Sequence, residues 1–387
     1  MIPYGKQYID QDDINAVVET LKSDYLTTGS KVQEFEEKFA DYVGAKYAVS
    51  VSSGTAALHL AMLASNIKPN DEVITTPMSF SATANCIEYV GGITVFADID
   101  KVTNNIDPNE IENKITSKTK VIIPVHYAGL PCDISKIYDI AKKHNLIIVE
   151  DACHALGAIY KGLMIGSCSH SDITVFSFHP VKHITTGEGG MITTNSKELY
   201  NKLLKLRSHG IKRDKDWLYD IKELGFNYRL TDFQCNLGIS QLNKLNDFVG
   251  SRRYIAYMYE GGFENLPIEL PYNISNTYYH SYHLYVIKFK NSDIRKYVYD
   301  KLKEKGILTQ IHYIPIHTLS YYKNKYGYNL GDFPNTEEHY KRCLSLPIYP
   351  AMSDGDINCV INSVKEVLTN EDYYNLSSTN DLNETSR

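Results

Sequence analysis

The 387-residue sequence lacks a long apolar run. The longest candidates, such as residues 146–149, are short and end in charge, whereas a membrane-spanning helix needs about 20 apolar residues. Residues 1–10 lack the charged and apolar regions of a signal peptide. The seven cysteines are an odd number without a CxxC pair, which suits reduced thiols. We therefore expect a soluble cytoplasmic protein with no membrane partner.

An excess of positive charge is also missing, since 40 Lys and Arg residues stand against 46 Asp and Glu residues, for a net charge of −6. This balance excludes a generally basic surface for nucleic-acid binding. Apolar residues make up 43% of the chain, which is enough for a sizeable core divided between two domains. We expect a globular protein without a nucleic-acid partner.

Short β-branched runs alternate with amphipathic stretches between residues 49 and 194. The runs predicted as buried strands are residues 72–76, 94–97, 121–125, 146–149 and 173–176, and the helical patterns include residues 55–65 and 134–144. This alternation predicts an α/β fold with a mostly parallel central sheet and helices on both faces. Ligands of such sheets bind beyond the carboxyl ends of the strands.

The pattern changes after about residue 245. A helix is predicted to open at Ser251, a loop covers residues 261–279, and a strand (283–289) and two helices (295–305 and 356–368) follow. We therefore expect an N-terminal arm (1–14), a large domain (15–245), a smaller C-terminal α+β domain (246–368) and a disordered polar tail (369–387).

The strongest local signal is the segment 176–190, which contains Phe176-Ser-Phe-His-Pro-Val-Lys182. A lysine held beside the strand ends can be desolvated, so that its amine attacks carbonyl carbons. A lone lysine is far more often a solvated surface residue. His179 and His183 lack a third metal ligand, and no metal site is expected.

Asp151 ends a predicted strand and is followed by His154. An aspartate in this place can keep a ring nitrogen protonated, and the histidine could support a ring oxygen. Capping of the next helix explains such an aspartate equally well.

Three further features have structural and functional interpretations. Residues 52–58 place small residues at a predicted helix start, which suits a phosphate but also makes an ordinary cap. Phe80 could stack on a planar ring or belong to the core. Asn227 and His312 are polar residues among apolar ones, and such residues are more often structural hydrogen-bond partners. Taken together, a helix start, an aromatic, a strand-end Asp and a loop Lys meet the demands of pyridoxal phosphate chemistry.

Over residues 2–368 the sequence resembles the DegT/DnrJ/EryC1/StrS sugar-nucleotide aminotransferases, which have the fold-type-I architecture of pyridoxal phosphate enzymes. The motifs that carry the resemblance are Leu26-Thr-Thr-Gly, Ser53-Gly-Thr-Ala-Ala-Leu, Glu150-Asp-Ala-Cys-His-Ala-Leu-Gly, Phe176-Ser-Phe-His-Pro-Val-Lys, Gly187-Glu-Gly-Gly and Asn227-Tyr-Arg-Leu-Thr-Asp. Within the family, residues 2–9, 178–190, 207–211 and 311–317 resemble the members that act in pseudaminic acid biosynthesis.

The resemblance implies a role for each matching residue. Lys182 would link the cofactor covalently, Asp151 would pair with its ring nitrogen, and His154 would lie by its phenolic oxygen. Phe80 would stack on the ring. Gly54, Thr55 and Ser177 would hold the phosphate, with Asn227 reaching it from the partner subunit of a homodimer. The positions that match substrate contacts are Tyr4 in the arm, Asp24, Tyr25, Leu26, Thr27, Ser53, Ile311, His312, Tyr313 and Ile314.

The implied reaction moves an amino group from L-glutamate to the C4 ketone of a UDP-linked 4-keto-6-deoxy-N-acetylhexosamine, whose product would serve flagellin glycosylation or a cell-surface polysaccharide. A sister enzyme for the bacillosamine or legionaminic acid series or for a dTDP-sugar is an alternative. A regulatory protein that binds the cofactor without catalysis, and a plain scaffold, are the alternatives outside enzymology.

Overall fold

The structure is a computed structural model of the chain that describes residues 1–213, 217–272, 277–371 and 373. Its helices are α1 (Gln11–Leu21), α2 (Ser30–Val43), α3 (Gly54–Ala64), α4 (Ala82–Tyr89), α5 (Pro108–Lys114), α6 (Ile134–His144), α7 (Lys197–Arg207), α8 (Asp232–Asn243), α9 (Leu245–Gly262), α10 (Ser292–Glu304), α11 (Ser320–Tyr326), α12 (Pro334–Arg342) and α13 (Asp354–Leu368). Its strands are β1 (Tyr47–Val51), β2 (Glu72–Thr75), β3 (Ile93–Phe96), β4 (Thr119–Ile123), β5 (Ile147–Asp151), β6 (Ile159–Tyr160), β7 (Leu163–Met164), β8 (Ile173–Ser177), β9 (Gly190–Thr194), β10 (Ile211–Arg213), β11 (Tyr219–Ile221), β12 (Tyr278–Tyr279), β13 (Tyr285–Lys288) and β14 (Cys343–Leu346).

The central sheet has seven strands in the order β1-β9-β8-β5-β4-β2-β3. The pairs from β8 through β5, β4 and β2 to β3 are parallel, and β9 alone runs against its two neighbours, β1 and β8. The prediction of an α/β fold with a mostly parallel sheet is confirmed. Most strand positions are buried, which is why these strands are almost continuously apolar in sequence.

Helices cover both faces of the sheet. On one face α3, α4 and α7 contribute the core residues Leu58, Ile87 and Leu203, which pack with Val49 of β1. On the other face α2, α6 and α8 contribute core residues that include Phe39, Ile137 and Ile239. Successive residues of a strand point to opposite faces of the sheet. Ala48 therefore packs in the core with α2, α6 and α8, which we call the large core, and Val49 packs in the core with α3, α4 and α7. The three-layer arrangement leaves only the strand ends free to build a site.

A separate core lies in the C-terminal part of the chain, where α10 and α13 pack with the antiparallel pair β13–β14. Helix α9 joins the large core to the C-terminal core. Phe248 near the start of the helix packs in the large core, and Tyr259 near its end packs in the C-terminal core. The helix begins at Leu245, so the prediction that it opens at Ser251 is wrong. Apolar residues 245, 248 and 249 extend its pattern backward into the large core.

The first residues of the chain and the last described ones both contact this C-terminal core. The backbone N–H of Ile2 donates to the Gly306 carbonyl oxygen at 2.8 Å, and α1 begins within the expected arm of residues 1–14. Helix α13 ends at Leu368, and Tyr373 is buried in the same core. The expected tail, residues 369–387, lies outside the described residues except for 369–371 and 373, and the boundaries at 245 and 368 stay predictions.

Across the described ranges, no helix combines the length and the apolar character that crossing a membrane requires.

Candidate active site

Three strands deliver the candidate residues to one edge of the sheet. Strand β1 leads through Ser53 into α3, β5 ends at Asp151, and β8 ends at Ser177. These strands point the same way, so their carboxyl ends meet at one edge. The loop after β8 then holds Lys182 over that edge, with its backbone N–H donating to the His179 carbonyl oxygen at 2.9 Å.

A cavity of about 470 Å³ opens at this edge. It brings together most of the residues predicted from the sequence, namely Tyr4, Ser53, Gly54, Thr55, Phe80, Asp151, His154, Ser177, Lys182, His312 and Tyr313. They come from parts of the chain more than 300 residues apart, so the fold, and not local spacing, gathers them.

Lys182 has the environment that its expected role requires. Burial lowers the pKa of its amine; Cys153 and Asp151 oppose the shift and Arg252 reinforces it. A lowered pKa raises the neutral fraction of the amine, which is the form that attacks a carbonyl carbon. The interpretation of Lys182 as a solvated surface residue does not agree with this position.

Asp151 is fixed by hydrogen bonds to both carboxylate oxygens. Oδ2 accepts from the Thr83 hydroxyl at 2.7 Å, and Oδ1 accepts from the Cys153 backbone N–H at 3.1 Å. The side chain is buried yet lines the cavity. A carboxylate has room for further donors, so a protonated ring nitrogen in the cavity can pair with it.

His154 is a buried neutral imidazole. Burial, reinforced by Lys182, His312 and His183, lowers its pKa well below the ordinary value. Its Nε2 lies 2.9 Å from the Tyr313 hydroxyl oxygen, and its ring centroid is 4.3 Å from that of His283. Its Nδ1 is buried without a hydrogen-bond partner among the described residues. The His154 ring can therefore form a further hydrogen bond, through Nδ1, to a bound group.

The start of α3 forms a cradle for an anion. The Ser53 hydroxyl caps the helix by accepting from the Ala56 N–H at 3.0 Å, while the N–H groups of Gly54 and Thr55 lie in the first turn, where no partner within the helix exists. A Cβ on Gly54 would lie 2.8 Å from the Cβ of Ser177, so only glycine allows this close approach. The positive end of the helix favours a phosphate here.

Phe80 is an exposed aromatic residue of the cavity wall, with 60% of its surface accessible. Its ring centroid lies 6.2 Å from that of Tyr313. A phenylalanine that open is not a core residue, and its face is available to a planar ligand.

Seven predicted residues do not line the cavity. Asp24, Tyr25, Leu26 and Thr27 are exposed beside the start of α8, where the Leu26 carbonyl oxygen accepts from the Asp232 N–H at 3.0 Å. Asn227 is also exposed, in a segment whose neighbour Tyr228 accepts from the Ser52 N–H at 2.8 Å.

Ile311 packs partly buried against two cores, and Ile314 is exposed. The roles implied for all seven residues therefore stay predictions.

The structure adds residues that the sequence did not single out. Thr83 and Ser79 line the cavity next to Asp151, and His283 lines it next to His154. Thr83 lies on α4, far in sequence from its partner. The only local signal is that three of the five residues between 79 and 83 carry a hydroxyl group.

The assembled groups fit pyridoxal phosphate. The cavity offers an amine of lowered pKa, a fixed carboxylate, a neutral imidazole, an open aromatic face and a helix start with free N–H groups. These are the groups that the linkage, the ring nitrogen, the phenolic oxygen, the ring face and the phosphate of this cofactor need.

Comparisons with known proteins agree with this fit. The sequence matches the profile of the DegT/DnrJ/EryC1/StrS aminotransferase family over residues 7–365. It is 42% identical to the spore coat polysaccharide biosynthesis protein SpsC of Bacillus subtilis over 96% of this chain and 98% of that protein. It is 40% identical to the UDP-4-amino-4,6-dideoxy-N-acetyl-β-L-altrosamine transaminase of Campylobacter jejuni over 95% of this chain and 98% of that one.

Two solved structures are similar throughout. A sugar aminotransferase of Streptococcus pneumoniae, Spr1654 in its PMP form, has a TM-score of 0.91 and 32% identity over 95% of this chain and 99% of that one. Helicobacter pylori PseC, an aminotransferase of pseudoaminic acid biosynthesis, has a TM-score of 0.90 and 33% identity over the same shares. The expectations of the family and of pyridoxal phosphate as cofactor are confirmed. The chain belongs to the DegT/DnrJ/EryC1/StrS aminotransferase family and is a pyridoxal-phosphate-dependent aminotransferase.

Proposed function

We propose that this enzyme transfers an amino group from L-glutamate to the C4 ketone of UDP-2-acetamido-2,6-dideoxy-β-L-arabino-hex-4-ulose. The product would be UDP-4-amino-4,6-dideoxy-N-acetyl-β-L-altrosamine, a precursor of pseudaminic acid for flagellin or a surface polysaccharide. The observation that carries the proposal is the single cavity that holds Lys182, Asp151 and His154 in a chain 40% identical to an enzyme named for this product.

Lys182 would link the cofactor and then move the proton. Once free, its amine would take the proton from the donor carbon and later return one to the sugar carbon. Its lowered pKa suits both tasks, because a general base acts best with a pKa near the working pH. Pyridoxal phosphate, when bound, supplies an electron sink for the carbanion that each proton removal leaves.

The other cavity residues bind and orient. Asp151 would hold the proton on the ring nitrogen, neutral His154 would hydrogen-bond the phenolic oxygen, and Phe80 would stack on the ring. Gly54, Thr55 and Ser177 would hold the phosphate. The position of these residues on the cavity wall supports the assignments.

The sugar nucleotide would occupy the outer part of the cavity, beside Tyr4, Ser53, His312 and Tyr313. Ile311, Ile314 and residues 24–27 would contact it farther out. Asn227 is exposed and does not line the cavity of its own chain, which favours its proposed action at the phosphate of a partner subunit. The active unit would then be a homodimer with an active site shared across the interface.

A second candidate substrate is another 4-keto or 3-keto nucleotide sugar, of the bacillosamine or legionaminic acid series or a dTDP-sugar. The similarity to SpsC favours it, because at 42% identity a protein of spore coat polysaccharide biosynthesis is as similar as the altrosamine transaminase.

The test offers purified enzyme, pyridoxal phosphate and glutamate the L-arabino and the D-xylo epimers of UDP-2-acetamido-2,6-dideoxy-hexos-4-ulose in separate reactions. Mass spectrometry detects the 4-amino product, and Lys182→Ala serves as the inactive control. Amination of the L-arabino epimer alone supports the proposal. Amination of the D-xylo epimer alone, or of neither, contradicts it and leaves the aminotransferase assignment in place.

A further inference from the structure

Two hydroxyl groups lie in series behind Asp151. Thr83 Oγ1 is 2.7 Å from Asp151 Oδ2 and 2.8 Å from Ser79 Oγ. Both hydroxyl side chains are buried, and both residues line the cavity. The two hydroxyl groups therefore form a chain of hydrogen bonds along the cavity wall that ends at the Asp151 carboxylate.

The direction of these hydrogen bonds follows from counting protons. An ionised carboxylate only accepts, so Thr83 donates its single hydroxyl proton to Asp151. The Thr83 oxygen is then free to accept, and Ser79 donates to it. A donor that itself accepts a hydrogen bond is polarised and donates more strongly.

The backbone of Asp151 is held independently of this series. Its N–H donates to the Pro124 carbonyl oxygen at 2.9 Å, and its carbonyl oxygen accepts from the His126 N–H at 3.1 Å. Only the side-chain torsions remain to be set, and the two bonds to the carboxylate, from Thr83 and from the Cys153 N–H, set them. Loss of the Thr83 hydroxyl removes one of those two bonds and leaves part of a buried charge without a donor.

We propose that Thr83, supported by Ser79, is a positioning residue that keeps the Asp151 carboxylate aimed at the ring nitrogen of the cofactor. The inference rests on the role of Asp151 in the proposed function. The Thr83 hydroxyl hydrogen-bonds Asp151, so its effect on the reaction would pass through that carboxylate.

The test compares Thr83→Val with Thr83→Ser, which restores a hydroxyl. The matched control is Thr94→Val: the Thr94 hydroxyl is equally buried and donates to the Glu88 carboxylate at the same 2.7 Å, but it does not line the cavity. Thr83→Val and Thr94→Val therefore remove the same kind of bond inside and outside the site.

The first readout is the pH titration of the absorbance of the bound cofactor, without donor or sugar. A positively charged ring nitrogen makes the linking nitrogen lose its proton at lower pH, because like charges repel. We expect both Thr83→Val and Asp151→Asn to move the midpoint of this titration to higher pH. Thr83→Ser should restore the wild-type midpoint. We also expect kcat to fall about tenfold or more with little change in KM, the loss typical of one hydrogen bond to a charged group.

The outcomes separate the two claims. A shift in Asp151→Asn together with a wild-type midpoint in Thr83→Val would overturn the role of Thr83. If Asp151→Asn itself shows no shift, the proposed role of Asp151 fails and takes that of Thr83 with it. The identity of the sugar does not enter the titration. Should Thr83→Val not fold, Ser79→Ala is expected to give a smaller shift in the same direction, and no shift in that variant would overturn the proposal.

Discussion

Lys182, Asp151 and His154 lie in one cavity where each meets side chains or backbone from distant parts of the chain, whereas Asn227 and residues 24–27 lie exposed outside it. The first group, which we call the cavity floor, is complete within one chain. The second group, the exposed segments, does not line that cavity. This difference is what we expect if the fold fixes the chemical groups while, as proposed, part of the binding surface acts on a second copy.

The largest expected effect tests the cavity floor. Asp151→Ala and Asp151→Asn should each lower turnover by about 10³-fold or more, because a ring nitrogen without a charged partner is a weaker electron sink. Asp151→Asn keeps the shape of the side chain, so its melting temperature should stay near that of the wild type. Turnover is measured with glutamate and the preferred sugar. Unchanged turnover in Asp151→Asn would refute the role.

The next effect tests the exposed segments. Asn227→Ala should lower activity about tenfold to a hundredfold through a lost hydrogen bond to the phosphate. If Asn227 acts across an interface, unfolding and refolding Asn227→Ala together with inactive Lys182→Ala should regain activity, since each hybrid dimer holds one intact site. Random pairing predicts about a quarter of wild-type activity. A mixture no more active than its two components, or a fully active monomer, would place Asn227 in its own chain's site.

The smallest effect comes from three buried histidines. Burial lowers the pKa of His280, His312 and His339 to about 3. The unfolded chain, in which histidine has a pKa of about 6.5, therefore binds more protons below that pH, and the free energy of unfolding falls as the pH drops from 7 to 5. Each histidine contributes up to about 1.4 kcal/mol per pH unit below pH 6.5.

Urea unfolding of the enzyme at pH 7, 6 and 5 measures this slope. Carboxyl groups with lowered pKa values titrate mainly below this window, so they add to the slope only near pH 5. His339→Gln, which can still donate to the Tyr127 hydroxyl that His339 Nε2 contacts at 3.0 Å, should reduce the slope. A midpoint that does not change between pH 7 and 5 would contradict buried neutral histidines.

The sequence predicts well the strands that position the cavity floor. Continuous apolar runs identify β2, β3, β4, β5 and β8, and the helices between β2 and β5 indicate that those strands run parallel. Asp151 and Ser177 end two of these strands, so their meeting at one edge follows from the fold class alone. Helix α6 even begins and ends at the predicted residues 134 and 144.

What the sequence could not predict depends on contacts between distant elements. Thr83 and Asp151 are 68 residues apart, and their hydrogen bond depends on how α4 packs beside β5. His283 lines the cavity but follows α9 in the chain, in the part of the sequence predicted as the smaller domain. No sequence pattern there indicates a site residue. The predicted start of α9 is six residues later than the observed start. The first turns of the helix pack in the large core, and the local sequence pattern does not reveal that packing.

The central claim is that Lys182 in the cavity floor carries the cofactor, and peptide mapping tests it most directly. The enzyme loaded with pyridoxal phosphate is reduced with borohydride, digested and analysed by mass spectrometry, with Lys182→Ala as the control. The account predicts one stoichiometric phosphopyridoxyl group on Lys182 and none in the control. Stoichiometric modification of another lysine, with Lys182 unmodified, would contradict it.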